Sequence, residues 1–123
     1  MKHVGDRILT FIESNQKNTW LHSREIHIYI RNAHHRLDTT IEKTIDLATI
    51  EISEKLRGKG KFTKLLEYLE EQVNRPIYIE NVLEERFQKF FEKRGYLKAS
   101  QGMSDLVSCY YKLPNLSKES TNV

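Results

Sequence analysis

Two glycines two positions apart, set among cations, make Arg57-Gly58-Lys59-Gly60-Lys61-Phe62 the stretch best suited to chemistry. Glycine lets a backbone approach a ligand closely, and the first amides of a helix have no intrahelical partner. The helix dipole adds partial positive charge at that end, and Arg57, Lys59 and Lys61 add whole charges. Phosphate or diphosphate is the natural occupant of such a turn. An ordinary basic turn between a strand and a helix would carry the same residues, so context has to decide. The run just before it, Ile45 to Ile52, holds two carboxylates, Asp46 and Glu51, that could take a proton from a substrate. Five apart in a regular strand they point to opposite faces, so at most one meets a given substrate. Strand-end or solvent-facing carboxylates would look the same. His22, His27, His34 and His35 match no zinc spacing and have no cysteine partners, so no metal is expected.

Such a turn needs a strand before it and a helix after it. Ile45, Leu47, Ala48, Ile50 and Ile52 make a largely apolar run, as in a strand covered on both faces. From Phe62 the period changes: Phe62, Leu65, Leu66, Leu69 and Val73 share one helical face, which predicts a helix over 60–74. Upstream, residues 6–15 read as a short amphipathic helix with Asp6 as its cap. A polar turn follows over 15–19, and Trp20 and Leu21 anchor the next segment in the core. Residues 24–31 alternate, with Ile26, Ile28 and Ile30 on one face, and 32–36 continue the strand with a bulge. A turn at Asp38-Thr39-Thr40 returns the chain antiparallel over 41–53.

Downstream, Arg75-Pro76 stops the helix and launches Ile77-Tyr78-Ile79. Strand–helix–strand implies a right-handed crossover and parallel pairing. A helix over 81–93 carries Leu83, Phe87, Phe90 and Phe91 as its apolar face, and Gly95 is its left-handed stop. Strands follow from Tyr96 and over 106–113, with Gly102 in the turn between them. Residues 115–123 are polar without an apolar period and are expected to be disordered. The layout is α/β: one domain over 1–114, a mixed sheet with helices on its faces.

Two segments resemble the GNAT N-acetyltransferases. Arg57-Gly58-Lys59-Gly60-Lys61-Phe62 is similar to that family's acyl-CoA diphosphate loop, Arg/Gln-x-x-Gly-x-Gly/Ala, with Arg57 and Gly60 matching and Phe62 in place of the last small residue. Phe90-Phe91-Glu92-Lys93-Arg94-Gly95-Tyr96 is similar to the later Leu/Phe-Tyr-Glu-Lys-x-Gly-Phe segment, and order and spacing agree over about residues 43–113. The resemblance implies a compact GNAT-like sheet whose two parallel central strands splay apart around the pantetheine arm of acetyl-CoA. It places backbone contacts to that arm at Ile50, Ile52 and Ser53, and the diphosphate on Arg57, Gly58, Lys59, Gly60, Lys61 and Phe62. Asn81 and Phe91 fall near the arm as well, Asn81 being equally a helix N-cap. Asp46 lies near the position where some members carry a catalytic Glu; Glu51 is the second candidate. Phe91 stands where the family often has a proton-donating Tyr, and Glu84 where it tends to have Asn. Fewer residues precede Trp20 than the family's usual first strand and two helices need, so the part that helps form the acceptor pocket is short.

Composition bounds what remains. The chain has 123 residues, a net charge of +3 and one cysteine, Cys109, which reads as a buried strand residue in a reducing cytoplasm. No apolar run is long enough for a membrane span, and the N-terminus has no signal-peptide pattern. The expected activity is transfer of an acetyl group from acetyl-CoA to the amine of a small molecule or protein, directly in a ternary complex. The alternative is a catalytically weak acyl-CoA-binding or protein-interaction module. A nucleic-acid partner, suggested by the pI near 9.0, is less favoured, because Arg57, Lys59, Lys61 and Lys64 are accounted for by CoA phosphates.

Overall fold

The computed structural model describes residues 2–53, 58, 60–99 and 108–114. Their elements are α1 (Lys2–Glu13), β1 (Asn18–His22), β2 (Ile26–Leu37), β3 (Thr40–Ile52), α2 (Lys61–Gln72), β4 (Ile77–Ile79), α3 (Glu85–Lys93), β5 (Leu97–Ala99) and β6 (Cys109–Lys112). The six strands form one mixed sheet in the order β1-β2-β3-β4-β6-β5. β3 and β4 are parallel, joined through α2, and the other pairs are antiparallel. Arg57, Lys59, residues 100–107, which include Gly102 and the expected start of the last strand at 106, and the tail over 115–123 lie outside the described residues.

The β2–β3 hairpin sets the geometry of everything that follows. Asp38 sits at φ 59°, a conformation aspartate tolerates, and the two-residue turn puts Leu37 opposite Thr40. Pairs then run one for one as far as Ile30 opposite Leu47. There the register slips, because Tyr29 faces Thr49 and Ala48 is left as an extra residue. The bulge thus lies on β3 rather than at 32–36 of β2, and its cause is the apolar pattern. Ile45 and Leu47 are odd positions, Ile50 and Ile52 even ones, and only one inserted residue brings all four to the face shared by Ile26, Ile28 and Ile30.

That face carries the core. Val4, Ile8 and Phe11 of α1, Leu65, Leu66 and Leu69 of α2 and Phe91 of α3 pack on Ile26, Ile28, Ile30, Ile45, Leu47, Ile77, Ile79 and Tyr110. Leu65, Leu66 and Leu69 are wholly shielded, which contributes about 1.5–3 kcal/mol apiece and holds α2 against the strands it joins. The opposite face has a smaller cluster, Leu37, Tyr78, Ala99, Cys109 and Tyr111, with no helical member. Among the described residues the helices therefore cover one face, where the sequence implies both.

Several boundaries also differ from the sequence reading. α1 starts before Asp6, so Asp6 caps nothing; it accepts a hydrogen bond from the Tyr68 hydroxyl instead. Trp20 is on a strand and 41% exposed, stacked on His22 and tilted against Tyr29, while its neighbour Leu21 alone enters the core. α3 begins at Glu85, with Glu84 as its N-cap. Asn81 is in the preceding loop at φ 56°, so it is no cap, and Leu83 is exposed. Gly95 stops α3 as expected: its own amide bonds Glu92 and that of Tyr96 bonds Phe91, the two bonds of a Schellman motif.

Candidate active site

β3 and β4 run together only briefly. Their ladder covers Ile45–Leu47 against Ile77–Ile79, and the Glu80 amide adds a last bond to the Leu47 carbonyl at 3.1 Å. Asn81 then bends the chain, and the Val82 amide bonds Ser108 at 2.7 Å, on the β6 side. β3 continues for five residues beyond Leu47, but no β3–β4 pair continues with it among the described residues. The two parallel strands thus part at the level of the Ala48 bulge. Ile50 and Ile52 lie on the diverging half of β3 and Ser53 at its end, with Asn81 across from them.

At the far end of that half, the chain enters α2. Gly58 and Gly60 have φ of 79° and 73°, and a Cβ on either would meet nothing within 4 Å. Neither glycine is required by packing, so both answer to the bend itself or to something that occupies the open space beside it. Gly60 is the N-cap and offers no side chain, the first turn has no acid, and the first helical bond is Lys64 to the Gly60 carbonyl at 3.0 Å. The amides of Lys61, Phe62 and Thr63 precede that bond, which leaves an anion-receptive end. Phe62 turns inward, its ring 6.2 Å from both Phe90 and Phe91, so its bulk sits against the core. The Lys61 ammonium is 3.9 Å from Glu25.

At the near end of the gap a polar cluster sits on the helix-free face. Because of the bulge, Asp46 and Glu51 share that face instead of pointing apart: Asp46 is opposite Arg31, and Glu51 opposite His27. Glu51 is exposed, whereas Asp46 is 1% exposed and fully engaged. Its Oδ1 accepts the Thr44 hydroxyl at 2.6 Å and its Oδ2 meets His35 Nε2 at 2.6 Å. His35 also stacks on Tyr78, with ring centres 3.7 Å apart. Glu80, the first residue past β4, pairs with the Arg31 guanidinium. One ligand-type atom each from His35, Asp46 and Glu80 lie within 4.8 Å of one another, so the imidazole reaches the mouth of the gap. Both carboxylates already hold partners from the chain, which makes this a hydrogen-bonded cluster first. Sequence reasoning singled out Asp46 but missed His35, Thr44, Arg31 and Glu80. The signal was the turn: with Leu37 opposite Thr40, positions 31, 33 and 35 share a face with 46, 44 and 42.

No protein-family model matches the sequence, and no curated protein matches it. Solved structures do match by shape. A tyrosine-to-phenylalanine mutant of the AtaT toxin, bound to the C-terminus of the antitoxin AtaR and acetyl-CoA, superposes with a TM-score of 0.53 at 15% identity, over 71% of this chain and 58% of that one. A histone acetyltransferase HPA2 and related acetyltransferase from Corynebacterium glutamicum ATCC 13032 gives 0.57 at 15% identity, over 93% and 76%. A KacTA–DNA complex gives 0.56 at 12%, over 98% and 82%. This chain has the GNAT fold. It spans 58% of the AtaT chain it matches.

Three phenols that could stand in for a tyrosine at position 91 are committed elsewhere. The Tyr96 hydroxyl donates to Glu70 at 2.9 Å, and burial together with that carboxylate holds its pKa far above the ordinary value. Tyr110 donates to Glu92 at 2.7 Å, and burial, then that bond, push it up to about 12. Both belong to the helix-side core, away from Asp46. Tyr111 is buried in the smaller cluster of the other face. Phe91 itself is 3% exposed and packs on Phe62, Phe90, Tyr96 and Tyr110.

Proposed function

We propose that the protein is an acetyl-CoA-dependent N-acetyltransferase that acts on a primary amine by direct transfer. The observation that carries this reading is the gap between β3 and β4, with an anion-receptive glycine turn at one end and the Asp46 cluster at the other. The diphosphate would rest on the backbone from Arg57 through Gly58, Lys59, Gly60, Lys61 and Phe62, with the lysines supplying charge. The pantetheine amides would complete the diverging edge of β3 at Ile50, Ile52 and Ser53, as an added strand does. Asn81 borders the gap on the other side and would contact the same arm. Phe91 supports the turn from beneath, through Phe62. One structural neighbour was captured with acetyl-CoA, which favours the same donor here.

The reaction needs a neutral amine near the thioester, a polarised carbonyl and a proton for sulfur. Backbone amides on the diverging half of β3 are suited to polarise the carbonyl. The group that takes the amine proton belongs to the Asp46 cluster, with exposed Glu51 as the alternative further along the same face. Calorimetry with acetyl-CoA, followed by intact-mass analysis of peptide and amine libraries incubated with isotopically labelled acetyl-CoA, tests the reading. Heat of binding together with a labelled product supports it, and an absence of binding ends it. A second reading, an acyl-CoA-binding module without turnover, is favoured by the Phe at position 91 and by the commitment of Tyr96 and Tyr110 to carboxylates. Binding with no labelled product across the library would establish that second reading instead.

A further inference from the structure

We infer that His35, not Asp46, takes the proton from the acceptor amine, and that Asp46 is its positioning residue. The inference rests on the transferase reading above and goes beyond it by assigning the base. Asp46 is 1% exposed and each of its oxygens already accepts a hydrogen bond, one from Thr44 and one from His35. So deeply buried a carboxylate offers an incoming ammonium no approach that does not first displace a neighbouring side chain. The His35 side chain is 26% exposed and lies at the same mouth of the gap. An ionised carboxylate only accepts, so the hydrogen shared with Asp46 belongs to His35 Nε2. That leaves Nδ1 as the lone-pair nitrogen, and no partner for it is present among the described residues. Stacking on Tyr78 fixes the ring plane. An acid and an imidazole so joined make an orienter and a base, the acid selecting the tautomer and supporting the imidazolium.

The step balances. An ammonium R–NH3+ gives one proton to His35 Nδ1, and the neutral nitrogen attacks the thioester carbonyl carbon. The tetrahedral adduct loses its C–S bond, and the second proton on nitrogen goes to the departing sulfur, giving the acetamide and CoA thiol. The His35 imidazolium then releases its proton to water. The groups that face His35 are Asp46 and Glu42 on β3, Arg31 on β2, Tyr78 on β4 and Glu80 beyond it. Arg31 is paired with Glu80.

The test compares wild type with His35→Ala, His35→Gln, Asp46→Asn and, as a control on the exposed neighbour, His34→Gln. Each is assayed with labelled acetyl-CoA on a fixed panel of free-α-amine peptides, lysine peptides and polyamines, with acetyl-CoA affinity measured in parallel. General-base loss predicts a fall in kcat of about 100-fold or more for the His35 variants at unchanged acetyl-CoA affinity. Added imidazole should restore part of the rate to His35→Ala but not to His35→Gln, whose side chain still fills the site. The dependence of kcat/KM on pH that a titrating base gives the wild type should vanish in both. Nitrogen-detected NMR of wild type should show His35 as the Nε2–H tautomer, and Asp46→Asn should abolish that preference. A His35→Ala rate within threefold of wild type, an unchanged pH profile, or an Nδ1–H tautomer overturns the inference alone. Acetyl-CoA binding by wild type with no transfer to any amine on the panel overturns the transferase reading and this assignment together.

Discussion

Replacing Gly60 by asparagine and by aspartate, in parallel, tests the anion site with the backbone held constant. At φ 73° a non-glycine residue costs about 1–2 kcal/mol, but Asn and Asp meet that conformation with less strain than others. No atom lies within 4 Å of the added Cβ, so no clash is superimposed. Each variant should therefore lose at most about 1 kcal/mol, a fall in Tm of roughly 3–5 °C for a domain of this size. The two side chains are nearly isosteric and differ by one charge. Unit charges about 6 Å apart, at an effective dielectric of about 40–80, interact by about 0.7–1.4 kcal/mol. A diphosphate doubles that, and screening at physiological salt, with a Debye length of about 8 Å, returns it to about 0.7–1.3 kcal/mol. Isothermal calorimetry should then show acetyl-CoA bound about 3–10-fold more weakly by Gly60→Asp than by Gly60→Asn. The ratio should shrink as salt is raised, and dephosphopantetheine-type fragments lacking the diphosphate should show none of it. Equal affinities for the two variants at low salt would refute the placement of a diphosphate at this turn, whatever the affinity of wild type.

Other expectations follow from particular contacts. Phe91→Tyr should not create a proton donor; it buries a hydroxyl in an aromatic cluster and should cost about 1–3 kcal/mol in denaturant unfolding, with no gain in kcat. Gly5→Ala should destabilise by about 1–3 kcal/mol, because a Cβ there runs into the Tyr68 ring, and Tyr68→Ala in the same chain should relieve most of that loss in a double-mutant cycle. Tyr110 has a folded-state pKa raised to about 12 by burial and by Glu92, so its contribution is complete below pH 10 and is lost as pH rises through about 12. Alkaline unfolding of Tyr110→Phe should accordingly depend less on pH between 10 and 12 than that of wild type.

The elements that a periodic pattern specifies were readable from the chain. The α2 stripe, the hairpin, the short parallel strand after Arg75-Pro76 and the stop at Gly95 each rest on a local rule that tertiary packing did not override. The polar site was less readable, for two physical reasons. Setting Asp46 and Glu51 on opposite faces takes β3 as a regular strand, although apolar residues at 45, 47, 50 and 52 already require an added residue if they share a core. Reading the turn as three residues, Asp38-Thr39-Thr40, blurs the register that puts Arg31 opposite Asp46 and His35 on the same face. Apolar spacing through Leu83 predicts a helix from Asn81, yet the backbone at Asn81 is left-handed and the helix waits for Glu85. Which face the helices would choose has no signature in single-element patterns, since each amphipathic helix reports that it has a buried side and not which side of the sheet receives it.

Ala48 divides one long strand into halves of opposite phase. On the first half, even-numbered positions such as 44 and 46 look away from the helices; on the second, odd-numbered ones such as 49 and 51 do. Loss of that one alanine would leave Leu47, Thr49, Ile50, Glu51 and Ile52 in plain alternation against the partners they already have, with both isoleucines still facing the helices. What would vanish is the local kink and added twist at the level where the parallel pair separates. Related chains that keep the same working surface should therefore keep an extra residue here even where nothing else in their sequences can be aligned.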